Sequence, residues 1–380
     1  MLASKGELMP RIRPTILFLA ALALTACTAI PESARPVTIS IVGINDIHGQ
    51  LLPDGERHGF VSISAYVGAL RNLRKLDGGE VLVIDAGDMW QGTLESNLQE
   101  GAAIIESYNE LGIAAAAIGN HEFDFGPVGP DTIPSSVGQD PRGALRQRAR
   151  EAAFPLLAAN LIDEATSEPV DWDNVHPSVM LEVAGLKVGV IGVMTQRALV
   201  TTIAPNTVGL RVVSLADAIV REGTRLRSEG ASLVIVAAHA GSECREFGKP
   251  YDTSSCNMNG EIMRVARELP EGLVDHIVAG HVHQGIAHVV NEISITSGYS
   301  SGRAFGRVDF VLGRDSGKVL SRRVHPPQYP IAGLAADGRK YEGQPLEVPP
   351  RLHAIAQQAA TVANARKQQK LGITMSDAFE

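Results

Sequence analysis

Five apolar stretches of the chain each end in a short polar cluster, and the richest of these clusters lies at residues 119–124. Asn120, His121, Glu122 and Asp124 place an amide, an imidazole and two carboxylates within five residues, directly after an apolar run at 113–118. So polar a turn is a poor connection between core elements. It is more typical of a binding or catalytic site.

The other four clusters carry side chains of the same kinds. They are Asp46 and His48 after the run 37–44, Asp88 after 81–84, His239 after 233–236, and His281 and His283 after 277–279. Ligands of α/β sheets bind beyond the carboxyl ends of the strands, so the five clusters are expected to meet along one rim. Any one of these histidines alone would be more typical of a hydrogen-bonded surface residue, and it is the ordered set that indicates a site.

The types of donor indicate which ions this rim would hold. Oxygen and imidazole donors without thiolate suit Mn²⁺, Fe, Co²⁺ or Zn²⁺, whereas a shell of oxygens alone would suit Mg²⁺ or Ca²⁺. About eight donors exceed the need of one ion and fit two divalent ions that share a carboxylate. Two ions about 4 Å apart can clamp a phosphoryl oxygen and lower the pKa of a water molecule.

Helical and strand patterns alternate between these clusters. Ser62 is expected to cap a helix that ends at Gly78-Gly79, and Ser214 to cap another that begins at Leu215. Further helices are predicted near 102–111, 143–152, 261–268 and 352–371, with a β-hairpin at 178–194. The alternation predicts an α/β fold with a largely buried sheet and parallel connections.

Three smaller expectations concern the rest of the chain. The runs at 293–295 and 308–311 alternate like antiparallel strands with one exposed face. Residues 326–350 are rich in Pro and Gly and are interpreted as a linker. Asp85 and His276 are interpreted as structural residues, and Asn160 as a residue that could orient the rim.

The N-terminus carries the pattern of an export signal. Arg11 and Arg13 precede an apolar stretch at 16–24, which is too short to span a bilayer. Leu24-Thr25-Ala26-Cys27 resembles the lipobox of bacterial lipoproteins. Residues 1–26 are therefore predicted to be a signal peptide, with Cys27 as a lipid anchor on the periplasmic side. An ordinary cleaved signal with a chance cysteine is the alternative, and Met9 is a second possible start.

The net charge and the cysteine content limit which ligands and which covalent bonds are expected. The net charge of −8 argues against binding to nucleic acid or to anionic membranes. It leaves an anionic substrate open, because bound cations reverse the local field. With Cys27 assigned to lipid, Cys244 and Cys256 remain as a pair in one loop. In an exported protein this pair predicts a disulfide, with metal ligation as the alternative.

The five clusters together resemble the successive motifs of the calcineurin-like metallophosphoesterases. The matching segments are Asn45-Asp46-Ile47-His48-Gly49, Gly87-Asp88-Met89-Trp90-Gln91-Gly92, Gly119-Asn120-His121-Glu122-Phe123-Asp124, His239-Ala240-Gly241 and Gly280-His281-Val282-His283. Residues 108–112 and 119–126 resemble the bacterial 5′-nucleotidase family in particular. The resemblance runs from 37 to 311. It implies a layered α/β fold, with mixed β-sheets flanked by helices, and a catalytic domain at 37–325.

The resemblance also implies a role for each residue. Asp46, His48 and His283 would hold the first metal, Asp88 would bridge both, and Asn120, His239 and His281 would hold the second. His121, paired with Asp124, would sit at the leaving group while a hydroxide between the metals attacks phosphorus. The implied reaction is hydrolysis of a phosphate ester, most like that of a 5′-nucleotidase acting on a nucleotide.

The pattern departs from the family at the C-terminus. Nucleotidases of the family continue into a second domain that supplies the aromatic stack for the base and arginines for the phosphate. Residues 326–380 resemble only the linker and its helix, so no nucleotide-binding domain is predicted within this sequence. A separately encoded domain, a truncated gene and a catalytic domain that works alone are the three explanations. A phosphodiesterase acting on cyclic nucleotides or nucleotide sugars, a thiosulfate-ester hydrolase and a metal-binding lipoprotein subunit are the alternative functions.

Overall fold

A computed structural model describes residues 35–331 and 338–370 of the chain. The predicted signal peptide and Cys27 lie outside the described residues. The strands are β1 Val37–Ile44, β2 Glu80–Asp85, β3 Ala115–Ala117, β4 Leu156–Leu157, β5 Leu161–Asp163, β6 Val175–His176, β7 Ser178–Val183, β8 Leu186–Met194, β9 Leu210–Val212, β10 Leu233–His239, β11 His276–Ala279, β12 Gly285–Val290, β13 Ile293–Gly298, β14 Phe305–Leu312, β15 Val319–Gln328, β16 Lys340–Tyr341 and β17 Gln344–Pro345.

The helices are α1 Gly59–Asp77, α2 Leu94–Asn97, α3 Ala102–Leu111, α4 Gly143–Glu151, α5 Leu215–Ser228, α6 Glu261–Glu268 and α7 Pro350–Lys367. Short 3₁₀ turns lie at His121–Phe123, Ala198–Val200 and Ala204–Thr207. None of the described helices is long and apolar enough to cross a membrane.

Thirteen of the seventeen described strands form two mixed sheets of seven and six strands, and β5 with β9 and β16 with β17 form two-stranded antiparallel sheets. The first has the order β15-β14-β1-β2-β3-β4-β6, and the second has the order β12-β13-β11-β10-β8-β7. In the first sheet β1, β2, β3, β4 and β6 are parallel, and β14 and β15 are antiparallel additions. In the second, β8, β10, β11 and β13 are parallel, and β7 and β12 are antiparallel edges. The predicted layered fold with mixed sheets is confirmed.

Side-chain alternation explains why the two sheets stack between layers of helix. On β1, Ile39 and Ile41 join a cluster with Val190 of the second sheet, while Val42 and Ile44 belong to the cluster under the helices. Successive residues of a strand point to opposite faces, and both faces here are apolar because both are covered. α1, α3 and α7 cover the first sheet, and α5 and α6 cover the second. The order of layers is helices, sheet, sheet, helices.

The predicted capping of α1 by Ser62 is wrong. The helix begins three residues earlier, at Gly59, and Ser62 is buried inside it. The N–H groups of Phe60 and Val61 donate to the carbonyls of Gln50 and Leu51 at 2.9 and 3.0 Å. Because the neighbouring loop satisfies these amides, the helix needs no side-chain cap here. At α5, by contrast, the Ser214 hydroxyl accepts from the Asp217 N–H at 3.3 Å, as predicted.

The expectation of one exposed face is confirmed for the run 308–311 and wrong for the run 293–295. In β14, Asp309 and Val311 are half-buried and alternate with buried Val308 and Phe310. β13 is buried along its whole length, because it lies between β11 and β12 and packs against the first sheet. The predicted linker at 326–350 contains the end of β15 and the β16–β17 hairpin. Pro326 and Pro327 are unfavourable in a strand, so the sequence did not predict that β15 continues through them. The structure tolerates these prolines because β15 is an edge strand.

Candidate metal centre

The seven predicted ligands come together at the carboxyl ends of five strands. Asp46 and His48 follow β1, Asp88 follows β2, Asn120 follows β3, His239 ends β10, and His281 and His283 follow β11. β1, β2 and β3 belong to the first sheet, whereas β10 and β11 belong to the second. The rim is therefore made by two stacked sheets rather than by one, which corrects the simpler expectation.

One group of donors consists of Asp46, His48 and His283, whose ligand atoms lie within 4.8 Å of one another. His283 Nε2 is 3.3 Å from Asp46 Oδ1 and 3.1 Å from His48 Nε2. His48 Nδ1 lies 2.8 Å from the carbonyl of Gln91, to which it must donate. The neutral ring then presents the lone pair of Nε2 to the group, which is the tautomer a metal ligand requires.

A second group consists of Asp88, His239 and His281, again within 4.8 Å. His239 Nε2 is 3.1 Å from Asp88 Oδ2, 3.2 Å from His281 Nδ1 and 3.0 Å from Asn120 Oδ1. Its Nδ1 donates to the carbonyl of Ala86 at 2.9 Å, so Nε2 is the ring nitrogen that a metal ion would find among these donors. Asn120 thus completes a second cluster of four donors.

Asp88 lies between the two groups. Its Oδ2 is close to His239 and also lies 3.9 Å from Nε2 of His48. Its Oδ1 accepts the backbone N–H of His121 at 2.9 Å. A carboxylate that contacts a histidine of each group is suited to being shared by two ions.

The backbone at these ligands is unusual. Five of the seven, Asp46, His48, Asp88, His281 and His283, have φ between 49° and 75°. Residues other than glycine seldom adopt this left-handed region, and each instance costs about 1–3 kcal/mol unless the surroundings enforce it. Such strained residues concentrate at functional sites, and here they turn short side chains from separate loops towards a common point.

The electrostatics of the cluster agree with its donor chemistry. Burial opposes a charge on His239, but the carboxylate of Asp88 raises the pKa of His239 to about 10. In return, although burial favours its neutral form, Asp88 has a pKa held below the ordinary value by His239 and His48. The protein thus stabilises positive charge beside a buried carboxylate. Divalent cations bound by these carboxylate and imidazole donors would supply that charge, so the residues present fit the predicted ions.

His121 lies beside the donor groups and forms a pair with Asp124. His121 Nδ1 is 2.5 Å from Asp124 Oδ2, and its ring meets the ring of His48 edge-on with 5.3 Å between centroids. The hydrogen bond to Asp124 raises the pKa of His121 to about 9. The His121 ring therefore keeps a proton on Nδ1, where it bonds Asp124, and Nε2 is the ring nitrogen available to another partner.

The segment Thr201–Thr202 also supports the site, and the sequence pattern did not reveal it. Thr202 Oγ1 donates to Asp124 Oδ1 at 2.6 Å, so Asp124 is held from both sides. The carbonyl of Thr201 accepts from Asn120 Nδ2 at 3.0 Å, which turns the amide oxygen towards His239. These residues lie about 80 positions beyond Asn120, and no motif or spacing connects them.

Glu122 is a second contributor without a predicted role. Its buried carboxylate accepts the backbone N–H groups of Asp88, Met89 and Gly119 at 2.8, 2.7 and 2.7 Å. Burial raises the pKa of Glu122 to about 7. Gly119 is required here, because an added Cβ would lie 2.3 Å from Asp88 Oδ1. Glu122 thus joins the Asp88 loop to the loop that carries Asn120 and His121.

The remaining predicted residues are outside the donor groups. Asp85 accepts from the Gly87 N–H at 2.6 Å and from the Tyr108 hydroxyl at 2.6 Å, so it shapes the turn before Asp88. His276 is buried and donates to Ser294. Asn160 bonds the backbone of β8 at Met194 rather than a ligand. Cys244 and Cys256 form the predicted disulfide.

Two stacked mixed sheets with carboxylate and imidazole donors at their strand ends define a protein of the metallophosphoesterase class. The family model of the calcineurin-like phosphoesterases matches residues 39–285, and the chain belongs to this family. The resemblance described from the sequence is thereby confirmed.

Longer relatives give the family context. Protein UshA of Yersinia enterocolitica is 28% identical over 334 residues, which cover 81% of this chain and 55% of the relative. A probable 5′-nucleotidase of Treponema pallidum is 25% identical over 343 residues, covering 86% and 54%. A 5′-nucleotidase precursor from Thermus thermophilus shares the fold with a TM-score of 0.64 at 22% identity, covering 87% of this chain and 60% of that one. The chain spans little more than half the length of these relatives.

Proposed function

We propose that this chain is a two-metal phosphoesterase that hydrolyses phosphate monoesters, with 5′-nucleotides as the substrate class. The observation that carries the proposal is that two donor groups lie side by side, with the Asp88 carboxylate 3.1 Å from His239 and 3.9 Å from His48 and the His121–Asp124 pair beside them. Relatives named 5′-nucleotidase support the choice of substrate class. We further propose that the protein is exported and anchored through lipid on Cys27.

Each donor residue except Asp88 would bind one of the two divalent ions. Asp46, His48 and His283 would hold one divalent ion, and Asn120, His239 and His281 the other, with Asp88 between them. Mn²⁺, Fe, Co²⁺ or Zn²⁺ in these positions would polarise the phosphoryl oxygens and lower the pKa of water. The protein would keep the ligands in place through the strained loops and through the carbonyls that fix the histidine tautomers.

His121 would act at the leaving group. Asp124 holds a proton on Nδ1, so Nε2 is the ring nitrogen left to meet the substrate. The raised pKa of His121 favours the doubly protonated ring at neutral pH. As the bond from phosphorus to the ester oxygen breaks, Nε2 would donate its proton to that oxygen, which leaves as an alcohol.

The direct test is hydrolysis of 4-nitrophenyl phosphate and bis(4-nitrophenyl) phosphate by the purified full chain with Mn²⁺ or Co²⁺. The expected result is faster turnover of the monoester. Preference for the diester would favour a phosphodiesterase, and no hydrolysis by metal-loaded protein would favour a metal-binding subunit.

The role of His121 is tested by His121→Ala. Turnover is expected to fall about 10²–10⁴-fold, the usual contribution of general acid–base catalysis, while metal content stays at two ions per chain. His353→Ala, at an exposed position of α7, is the matched control and should retain full turnover. Loss of metal in His121→Ala would instead show that His121 is a ligand.

A further inference from the structure

An aromatic and cationic surface lies beside the donor groups and has no part in the mechanism above. It consists of Tyr299, Arg303 and Tyr329, with Phe247 at its edge, and is called here the Tyr299 platform. The Arg303 guanidinium lies 4.8 Å from the centroid of the Tyr299 ring. Tyr329 donates its hydroxyl proton to Tyr299 Oη at 3.0 Å, and the two ring centroids are 6.0 Å apart. Tyr329 is 48% exposed and the Arg303 side chain 47%.

One side of the platform is bonded to the loop of the first donor group. Asn45 Nδ2 donates to the carbonyl of Tyr299 at 2.6 Å and also contacts Asp46 Oδ2 at 2.6 Å. The N–H of Ser301 donates to the carbonyl of Asp46 at 2.7 Å. The backbone of the platform is therefore in direct contact with a predicted metal ligand.

The other side of the platform lies against the start of β12, two residues after His283. A Cβ added at Gly285 would lie 2.8 Å from Cζ of Tyr299 and 2.9 Å from Cζ of Phe247. Because glycine leaves this space free, both rings come down onto the strand. The aromatic surface thus packs on Gly285, two residues along the chain from His283, a histidine of the first donor group.

The backbone of the platform is strained in the same way as that of the ligands. Tyr299 and Ser301 have φ of 66° and 52°, in the left-handed region that residues other than glycine seldom adopt. The bonds from Asn45 and to Asp46 enforce this conformation. Strained residues concentrate at functional sites, so the strain at Tyr299 supports a function for its side chain.

We propose that the Tyr299 platform binds the base of a nucleotide substrate by stacking, while the 5′-phosphate reaches the metal centre. Exposed aromatic rings and guanidinium planes are the groups on which nucleobases stack, and such stacking accepts every base. The inference rests on the proposed function, and it places base recognition in the catalytic domain itself. The resemblance alone would assign that role to a second domain.

The test compares two phosphate esters that differ in the base. The full metal-loaded chain is assayed with adenosine 5′-monophosphate and with ribose 5-phosphate, and the ratio of their kcat/KM values is the readout. Tyr299→Leu is expected to lower this ratio about tenfold, because stacking on an aromatic ring is lost. Tyr299→Phe keeps the ring and should keep the ratio.

Tyr251 supplies a matched control for the loss of an exposed tyrosine. It is 70% exposed, and its hydroxyl is 3.4 Å from Arg322, which bonds Glu292 at the turn between β12 and β13. The carbonyl of the preceding residue, Pro250, accepts the N–H of Val289 at 2.8 Å, and Val289 lies four residues, or about 13 Å, along β12 from Gly285. Tyr251→Leu should leave the ratio unchanged. An equal fall for both esters in Tyr299→Leu would overturn the proposal and identify the platform as a structural latch.

Binding of adenosine, measured by calorimetry on the same proteins, separates this inference from the proposed function. Adenosine is expected to bind the wild-type chain and to bind Tyr299→Leu about tenfold more weakly. If adenosine does not bind while phosphate esters are hydrolysed, the platform proposal fails and the proposed function stands. If binding depends on Tyr299 in a protein that hydrolyses no ester, the platform stands and the proposed function fails.

Discussion

At the scale of single residues, the site depends on how Asp124 is held. Its two oxygens are shared between His121 and Thr202, at 2.5 and 2.6 Å. The Thr202 hydroxyl fixes the plane of the carboxylate and thereby the plane of the imidazole. In the proposed mechanism Thr202 is thus a positioning residue, which would act on the leaving group through Asp124 and His121.

Thr202→Val removes this hydroxyl and nearly preserves the shape of the side chain. The variant is expected to lower kcat about tenfold, the effect of losing one hydrogen bond of about 1.4 kcal/mol in the transition state. KM and metal content should stay as in the wild type, because the Thr202 hydroxyl bonds Asp124, which is not one of the proposed metal ligands. Steady-state kinetics and metal analysis provide the measurement.

Thr202→Ser retains the hydroxyl and is the control for this variant. Its kcat is expected to stay near the wild-type value. If the serine variant lost as much activity as the valine variant, or if both lost metal, Thr202 would be a packing residue of the loop.

At this scale the sequence predicted the candidate metal ligands but not the residues that hold them in position. Asp88 and Asn120 could be predicted because each closes an apolar run, in an order typical of one family. Thr202 could not, because its partner is 78 residues away and only the folded chain brings them together. Glu122 lay within a recognised motif, yet its task is to accept three backbone amides, which motif spacing does not encode.

At the scale of elements, short polar signals were good predictors of helix and strand limits where local chemistry decides them. α3 and α6 have the bounds expected from their periodicity, and Gly78 ends α1 with a φ of 67°. Prediction failed where distant residues decide. α1 begins early because another loop satisfies its first amides, and β15 continues through two prolines because its outer edge pairs with none of the described strands.

The buried strand β11 gives a prediction about pH. His276 is fully buried beside Ser294, and burial lowers its pKa to about 3, with Arg322 acting in the same direction. The unfolded chain has the ordinary histidine pKa of about 6.5, so below that pH it binds a proton that the folded chain does not bind. His276 therefore makes the folded state lose stability as the pH falls from about 6.5 towards 3.

His276→Gln removes this proton uptake. Between pH 7.5 and 5.5 the free energy of unfolding of the wild type is expected to fall by about 1.4 kcal/mol more than that of the variant. Urea unfolding of both proteins at the two pH values provides the measurement. An equal change in both would show that His276 is not the group responsible.

At the scale of the whole molecule, the centre exists because two sheets stack with their carboxyl edges together. The apolar runs predicted the strands, but they could not assign β1, β2 and β3 to one sheet and β10 and β11 to another. That division depends on pairing between residues far apart in the chain.

The hairpin β16–β17 also joins the body of the fold, since Arg307 on β14 donates to Tyr341 and Glu342 at 2.9 and 2.8 Å.

Residues from both sheets are proposed to hold two divalent ions. The most direct measurement is anomalous diffraction from crystals of the full chain grown with Mn²⁺. Two peaks are expected, one among Asp46, His48 and His283 and the other among Asn120, His239 and His281, with Asp88 in contact with both. A single peak, or peaks away from these side chains, would show that these residues do not hold two ions.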